Sequence, residues 1–278
     1  MEQPNYRQAL IDKIEVPVEQ GEVTAGSVRT TYLSAGSGPP VVCIHGAAAG
    51  AVTWYKSIAV LAKHFRVIVP DVVGYGESDK PKAAYDRPYF AAWLCEFLIA
   101  LGIQRAHIMG NSQGGAIGLQ FALENPDRVE KLVLVDSGAL GKGMPAGAFI
   151  GLFLLNNFPS ALAGRQVSRY VVFKPENYDP DYAAYTIQVA KKPGGNNVFM
   201  QGRGAAVSPM AGDELRRIEH QTLIIWGEQD NFFPIAHGEA AAKTMPNATL
   251  HRIQAAGHLP FLDQPTAFNA ALLQFLTA

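Results

Sequence analysis

Short, predominantly apolar runs recur along this chain: Val41 to Ile44, which is wholly apolar, and Arg66 to Pro70, His107 to Met109, Lys131 to Val135 and Thr222 to Trp226, which repeat its texture. A strand with one wet face alternates apolar and polar residues, so continuous runs of this kind predict strands buried on both faces. Helix-period patterns lie between and after them, over Trp54 to Ala62, Pro88 to Leu101, Gly114 to Glu124 and Pro265 to Leu276. Val28 to Leu33 adds a strand ended by a Gly- and Pro-rich turn, and Thr249 to Ile253 reads as the last one. Strand and helix in alternation predict an α/β fold, a doubly wound and mostly parallel sheet with right-handed crossovers.

The alternation stops after Val135 and resumes at Thr222. The expected organisation is therefore one α/β core, residues 1–138 and 213–278, interrupted by a helical cap (lid) insertion at 139–212. Its apolar stretch from Phe149 to Leu155 is too greasy for a solvated loop. Packing over the C-terminal edge of the sheet suits it, because open α/β sheets bind ligands there. A helical subdomain with a purely structural role is the alternative. A length of 278 residues accommodates one core with one insert.

Charge narrows the partners. The 23 basic and 24 acidic side chains nearly cancel, and no Lys/Arg stripe forms, so nucleic acid is not expected. The two cysteines have no paired spacing, which points to a reducing, cytoplasmic setting. No secretory leader is evident near Met1 to Glu19, and the apolar run Ala146 to Leu155 is about half of what spans a bilayer. The expected partner is a small-molecule substrate, with a homodimer left open.

The chemistry concentrates in Gly110-Asn111-Ser112-Gln113-Gly114, directly after one strand and directly before one helix. A serine on such a sharp turn has a strained backbone and an exposed hydroxyl, and the helix onset aims N–H groups at any oxyanion formed there. Serine needs a base, and His258, in Ala256-Gly257-His258-Leu259-Pro260 after the last strand, is the candidate. Two acids following apolar strands, Asp136 and Asp230, stand between them in sequence, and Asp230 is favoured as the one that orients the imidazole. The oxyanion donors are expected to be the backbone N–H groups of Gln113 and Ala47, with Ala48 as the near alternative. His45 is expected to hold the Ala-rich loop by hydrogen bonds, and Gly74 to Ser78 to be a structural turn. No metal and no cofactor is expected, since neither a His/Cys ligand spacing nor a P-loop lysine occurs.

Taken in order, His45-Gly46, Asp71 to Ser78, Gly110 to Gly114, Gly227-Glu228-Gln229-Asp230 and Gly257-His258 resemble the α/β-hydrolase superfamily from about Val23 to the C-terminus. The resemblance implies an eight-stranded sheet and a Ser112–His258–Asp230 triad. Epoxide hydrolases and haloalkane dehalogenases of that superfamily carry Asp at the elbow, where this chain has Ser112. It is most similar to the branch holding serine carboxylesterases and meta-cleavage-product hydrolases, which split carbon–carbon bonds in ring-fission dienoates. Three departures separate it from the C–C hydrolases: Leu259 in place of Trp after the histidine, an Ala-rich first loop, and no arginine between Pro180 and Ala190 to grip a substrate carboxylate. Hydrolysis of carboxylic esters therefore ranks first and C–C hydrolysis second. A non-hydrolytic binder or receptor on the same fold and a perhydrolase are the remaining alternatives.

Overall fold

A computed structural model describes residues 4–278. Eight strands, β1 (Glu19–Ala25), β2 (Val28–Ala35), β3 (Pro40–Ile44), β4 (Arg66–Pro70), β5 (Ala106–Asn111), β6 (Val129–Val135), β7 (Thr222–Gly227) and β8 (Ala248–Ile253), form one sheet. Their order is β1-β2-β4-β3-β5-β6-β7-β8. The pairs β1–β2 and β2–β4 are antiparallel, and every pairing from β4 to β8 is parallel. This is the eight-stranded, mostly parallel α/β arrangement that the sequence and the resemblance implied.

The apolar runs lie at its centre. Every residue of β5 and β7 is buried, and so are four of the five residues in β3 and β4. Helices cover both faces, as a parallel sheet requires. The helix Arg87–Ala100 starts where Asp86 accepts the Tyr89 N–H at 2.9 Å, with Pro88 in its first turn. The helix Gln113–Glu124 is buried from Gln113 to Ala122, because the sheet holds one side and neighbouring helices the other.

Between β6 and β7 the chain runs through helices Ala146–Asn157, Ala161–Val171, Pro180–Ala190, Asn197–Gly202 and Gly212–Arg216. It leaves and returns through one clasp: Ala139 N–H donates to the Val207 carbonyl at 3.2 Å, and Met210 N–H to the Ala139 carbonyl at 2.8 Å. A short helix that the sequence did not announce, Tyr6–Ile11, packs against Pro180–Ala190. Its Arg7 reaches the buried Asp71 carboxylate at 2.9 Å, and Lys13 reaches Asp179 at 2.7 Å. Among the described residues no helix is long and apolar enough to cross a membrane.

Candidate active site

The parallel strands all end at the same edge of the sheet, which is why residues far apart in sequence meet there. Ser112 follows β5 with φ 54° and ψ −118°, a left-handed backbone that an L-residue adopts only when its surroundings impose it. The surroundings are specific. Ser112 N–H donates to the Val135 carbonyl at 3.0 Å, and its own carbonyl accepts the Gly115 and Gly138 N–H groups at 3.1 and 2.9 Å. The flanking glycines are required by close approach: a Cβ on Gly110 would run into the backbone of Gly114, and one on Gly114 into the Ile44 carbonyl.

The Ala-rich loop after β3 is pinned by His45. Its Nδ1–H donates to the Gly46 carbonyl at 2.7 Å, and its Nε2 accepts the Val72 N–H at 2.9 Å. Both nitrogens are thus committed in one neutral tautomer. Burial is the main force lowering this imidazole to about 4, and the nearby Asp71 charge only partly offsets it. Among the described residues the Ala47 N–H makes no hydrogen bond, while the Ala48 N–H faces the Tyr75 hydroxyl. Tyr75, in the loop expected to be only a turn, donates that hydroxyl to Gln113 Oε1 at 3.0 Å and lines the cavity beside Ser112.

His258 and Asp230 come together: Nδ1 and Oδ2 are 2.9 Å apart, with the two side chains 4% and 0% exposed. The other Asp230 oxygen accepts the Phe232 and Phe233 N–H groups at 2.6 and 3.1 Å, which fixes the carboxylate on the turn after β7. Phe232 stacks on the imidazole at 4.6 Å between centroids. His258 Nε2 is buried and has no hydrogen-bond partner among the described residues, so no Ser112–His258 hydrogen bond is made here. Such contacts often tighten only once substrate is bound.

Two supports of the histidine loop were not foreseen from sequence. Asn111 Nδ2 donates to the His258 carbonyl and the Val135 carbonyl, each at 3.1 Å, tying the end of β5 to the histidine loop. Asp263 accepts the Gly257 N–H at 2.8 Å, the Phe173 N–H at 2.9 Å and Asn177 Nδ2 at 2.6 Å. Asp136, the second acid considered, sits beside the first. Asp136, Asp230 and His258 bring one atom each within 4.8 Å of one another.

Ser112, His258 and Ala47 all open onto a cavity of 530 Å³ roofed by the helices between β6 and β7, with Phe149, Phe153 and Phe199 on its wall. Arg203, at the left-handed end of the helix Asn197–Gly202, is the one fixed charge on that lining among the described residues. Sequence reasoning looked for an arginine only between Pro180 and Ala190 and so passed it by.

Comparison with known proteins adds the family. Residues 39–265 match the family model described as alpha/beta hydrolase fold. A 2-hydroxy-6-oxo-6-phenylhexa-2,4-dienoate hydrolase of Burkholderia cepacia is 32% identical over 261 residues, covering 87% of this chain and 89% of that one. The crystal structure of the hydrolase of the same name from Rhodococcus sp. strain RHA1 superposes with a TM-score of 0.84 at 26% identity, over 95% of this chain and 100% of that one. A Bacillus subtilis carboxylesterase gives a TM-score of 0.83 at 24% identity, over 98% and 95% of the two chains, which speaks for the fold alone. With the match spanning most of its length, this chain belongs to the alpha/beta hydrolase fold family.

Proposed function

We propose that the protein is a serine hydrolase that cleaves carboxylic esters of small to medium apolar or aromatic substrates through an acyl-enzyme. Ser112 is the nucleophile, His258 the base, Asp230 the acid that orients it, and the Ala47 and Gln113 N–H groups the oxyanion donors. The helices of 139–212 serve as the cap over the site. The observation that carries this reading is the 2.9 Å His258–Asp230 contact at the rim of the cavity that the strained Ser112 also lines.

In the first half-reaction His258 Nε2 takes the hydroxyl proton as Ser112 Oγ adds to the ester carbonyl. The tetrahedral oxyanion is held by the two N–H groups until the alcohol leaves, with the proton returned by the imidazolium. Water then repeats the sequence on the acyl-enzyme, releasing the acid and restoring the serine. The apolar wall of the cavity supports an apolar acyl or aromatic group. A second reading, hydrolysis of the C–C bond of a ring-fission dienoate, is favoured by the relatives named above and by Arg203, whose charge suits a substrate carboxylate.

The test is a parallel assay of p-nitrophenyl esters of graded acyl length and a ring-fission dienoate with wild type and Ser112→Ala. The variant is expected to lose about four to six orders of magnitude in turnover. Wild-type rates from Ser112→Ala would refute the nucleophile. Ligand-dependent thermal stabilisation without turnover of any compound would point instead to a binder.

A further inference from the structure

Behind the imidazole lies a buried acid that the acyl transfer leaves without a task. Asp136 ends β6, is fully buried, and has a left-handed φ of 43°. Its N–H donates to the Ile225 carbonyl at 3.0 Å, and its Oδ1 accepts the Gly227 N–H at 2.9 Å, so both ends of the residue are fixed against β7. Among the described residues Oδ2 meets no N–H and no hydroxyl. The polar group facing it is the Asp230 carboxyl, within 4.8 Å.

Two carboxyl groups this close in a fully buried site cannot both carry charge, and one proton must stay with the pair. The hydrogen-bond partners decide which keeps it. The Asp230 carboxyl receives Phe232 N–H, Phe233 N–H and the His258 ring, whereas among the described residues Asp136 receives Gly227 N–H alone. An ionised Asp136 would leave one bare carboxylate oxygen against another, the costliest arrangement a buried group can have.

We infer that Asp136 is a positioning residue: it is a neutral carboxylic acid whose Oδ2–H donates to the Asp230 carboxylate and holds it aimed at His258. The inference rests on the triad reading above. Burial, then the Asp230 charge, holds Asp136 well above the usual carboxylate range; the Gly227 N–H pulls it back, and the hydrogen bond shared with Asp230 adds to the rise. The other titratable groups facing the pair are His258, Asp263 on the helix after the histidine loop, which raises Asp136 further, and His237 on the helix Ala236–Thr244.

Asp136→Leu removes the donor, and Asp136→Asn keeps both an acceptor for Gly227 and a donor for Asp230. Asp136→Leu is expected to lower kcat by about 10- to 100-fold with KM little changed, and Asp136→Asn to recover most of that loss. An acid that keeps its proton on folding contributes stability that is lost as pH rises above the free carboxylate value. The urea midpoint of Asp136→Asn should therefore climb relative to wild type between about pH 5 and about pH 8. The infrared difference between wild type and Asp136→Asn should contain the carbonyl band of a protonated carboxyl group.

Midpoints that run parallel across that range, or a difference spectrum without the band, would mean that Asp136 is ionised, and the inference would fall. So would wild-type kcat in Asp136→Leu. Should that variant not fold, the stability and infrared measurements on Asp136→Asn still decide. Loss of hydrolysis in Ser112→Ala tests the serine nucleophile separately, so a failure of the pair and a failure of the proposed function give different results.

Discussion

His45 makes the stability of this protein depend on pH in a way that can be worked from its surroundings. Its free imidazole has a reference value of 6.5, and in the folded chain burial lowers it to about 4. Protonation of Nε2 would set an N–H against the Val72 N–H that it now accepts. The folded pKa lies below the unfolded one, so the contribution is complete above about pH 6.5 and is lost as pH falls from there towards about 4, because only the unfolded chain gains the proton. At pH 5 the free imidazole is about 1.5 pH units below its reference value, and at about 1.4 kcal/mol per unit the loss is about 2 kcal/mol. His45→Gln keeps a donor and an acceptor on one side chain and does not titrate. Urea unfolding of both proteins at pH 7 and pH 5 should give wild type the steeper decline, by about 2 kcal/mol. Equal declines would refute the argument, since every other titrating group is common to the two proteins and cancels in the difference.

Other substitutions probe the frame around the site. Asp71→Asn leaves the Arg7 guanidinium buried without its counter-charge and should cost about 3–5 kcal/mol in chemical denaturation. Gly114→Ala places a methyl group against the Ile44 carbonyl, with an expected loss of about 1–3 kcal/mol and a fall in kcat as the elbow shifts. Asn111→Ala cuts both bonds to the Val135 and His258 carbonyls, and steady-state kinetics should register it in kcat before KM.

Much of the fold was legible because burial on both faces leaves an unmistakable trace: β3 and β5 to β7 coincide with the apolar runs to within one or two residues. β1 left no such trace. It is an edge strand, and Glu19, Gln20 and Glu22 point at least partly to solvent, so its composition is that of a polar loop. The helix Tyr6–Ile11 is too short for a periodic signal, and what holds it, Arg7 on Asp71, spans 64 positions. Within the site, the serine turn could be placed from sequence because strand, small residues and helix are contiguous there. Asp136 and Asp230 could not be ordered decisively, because each follows a buried strand and only the third dimension sets them side by side. Asn111 reaches the His258 carbonyl 147 positions away, and Asp263 reaches Phe173 and Asn177 90 and 86 positions away, contacts that no local spacing encodes.

The clasp formed by Ala139 with Val207 and Met210 has a wider consequence. Because the departing and returning chain are bonded to each other before they reach the sheet, changes of length or composition beyond that point need not propagate into β6 or β7. The cavity wall formed by these helices is thus joined to β6 and β7 through one handle. Such changes have to spare Val171, Phe173 and Asn177, whose hydrogen bonds to Leu259 and Asp263 tie that wall to the histidine loop.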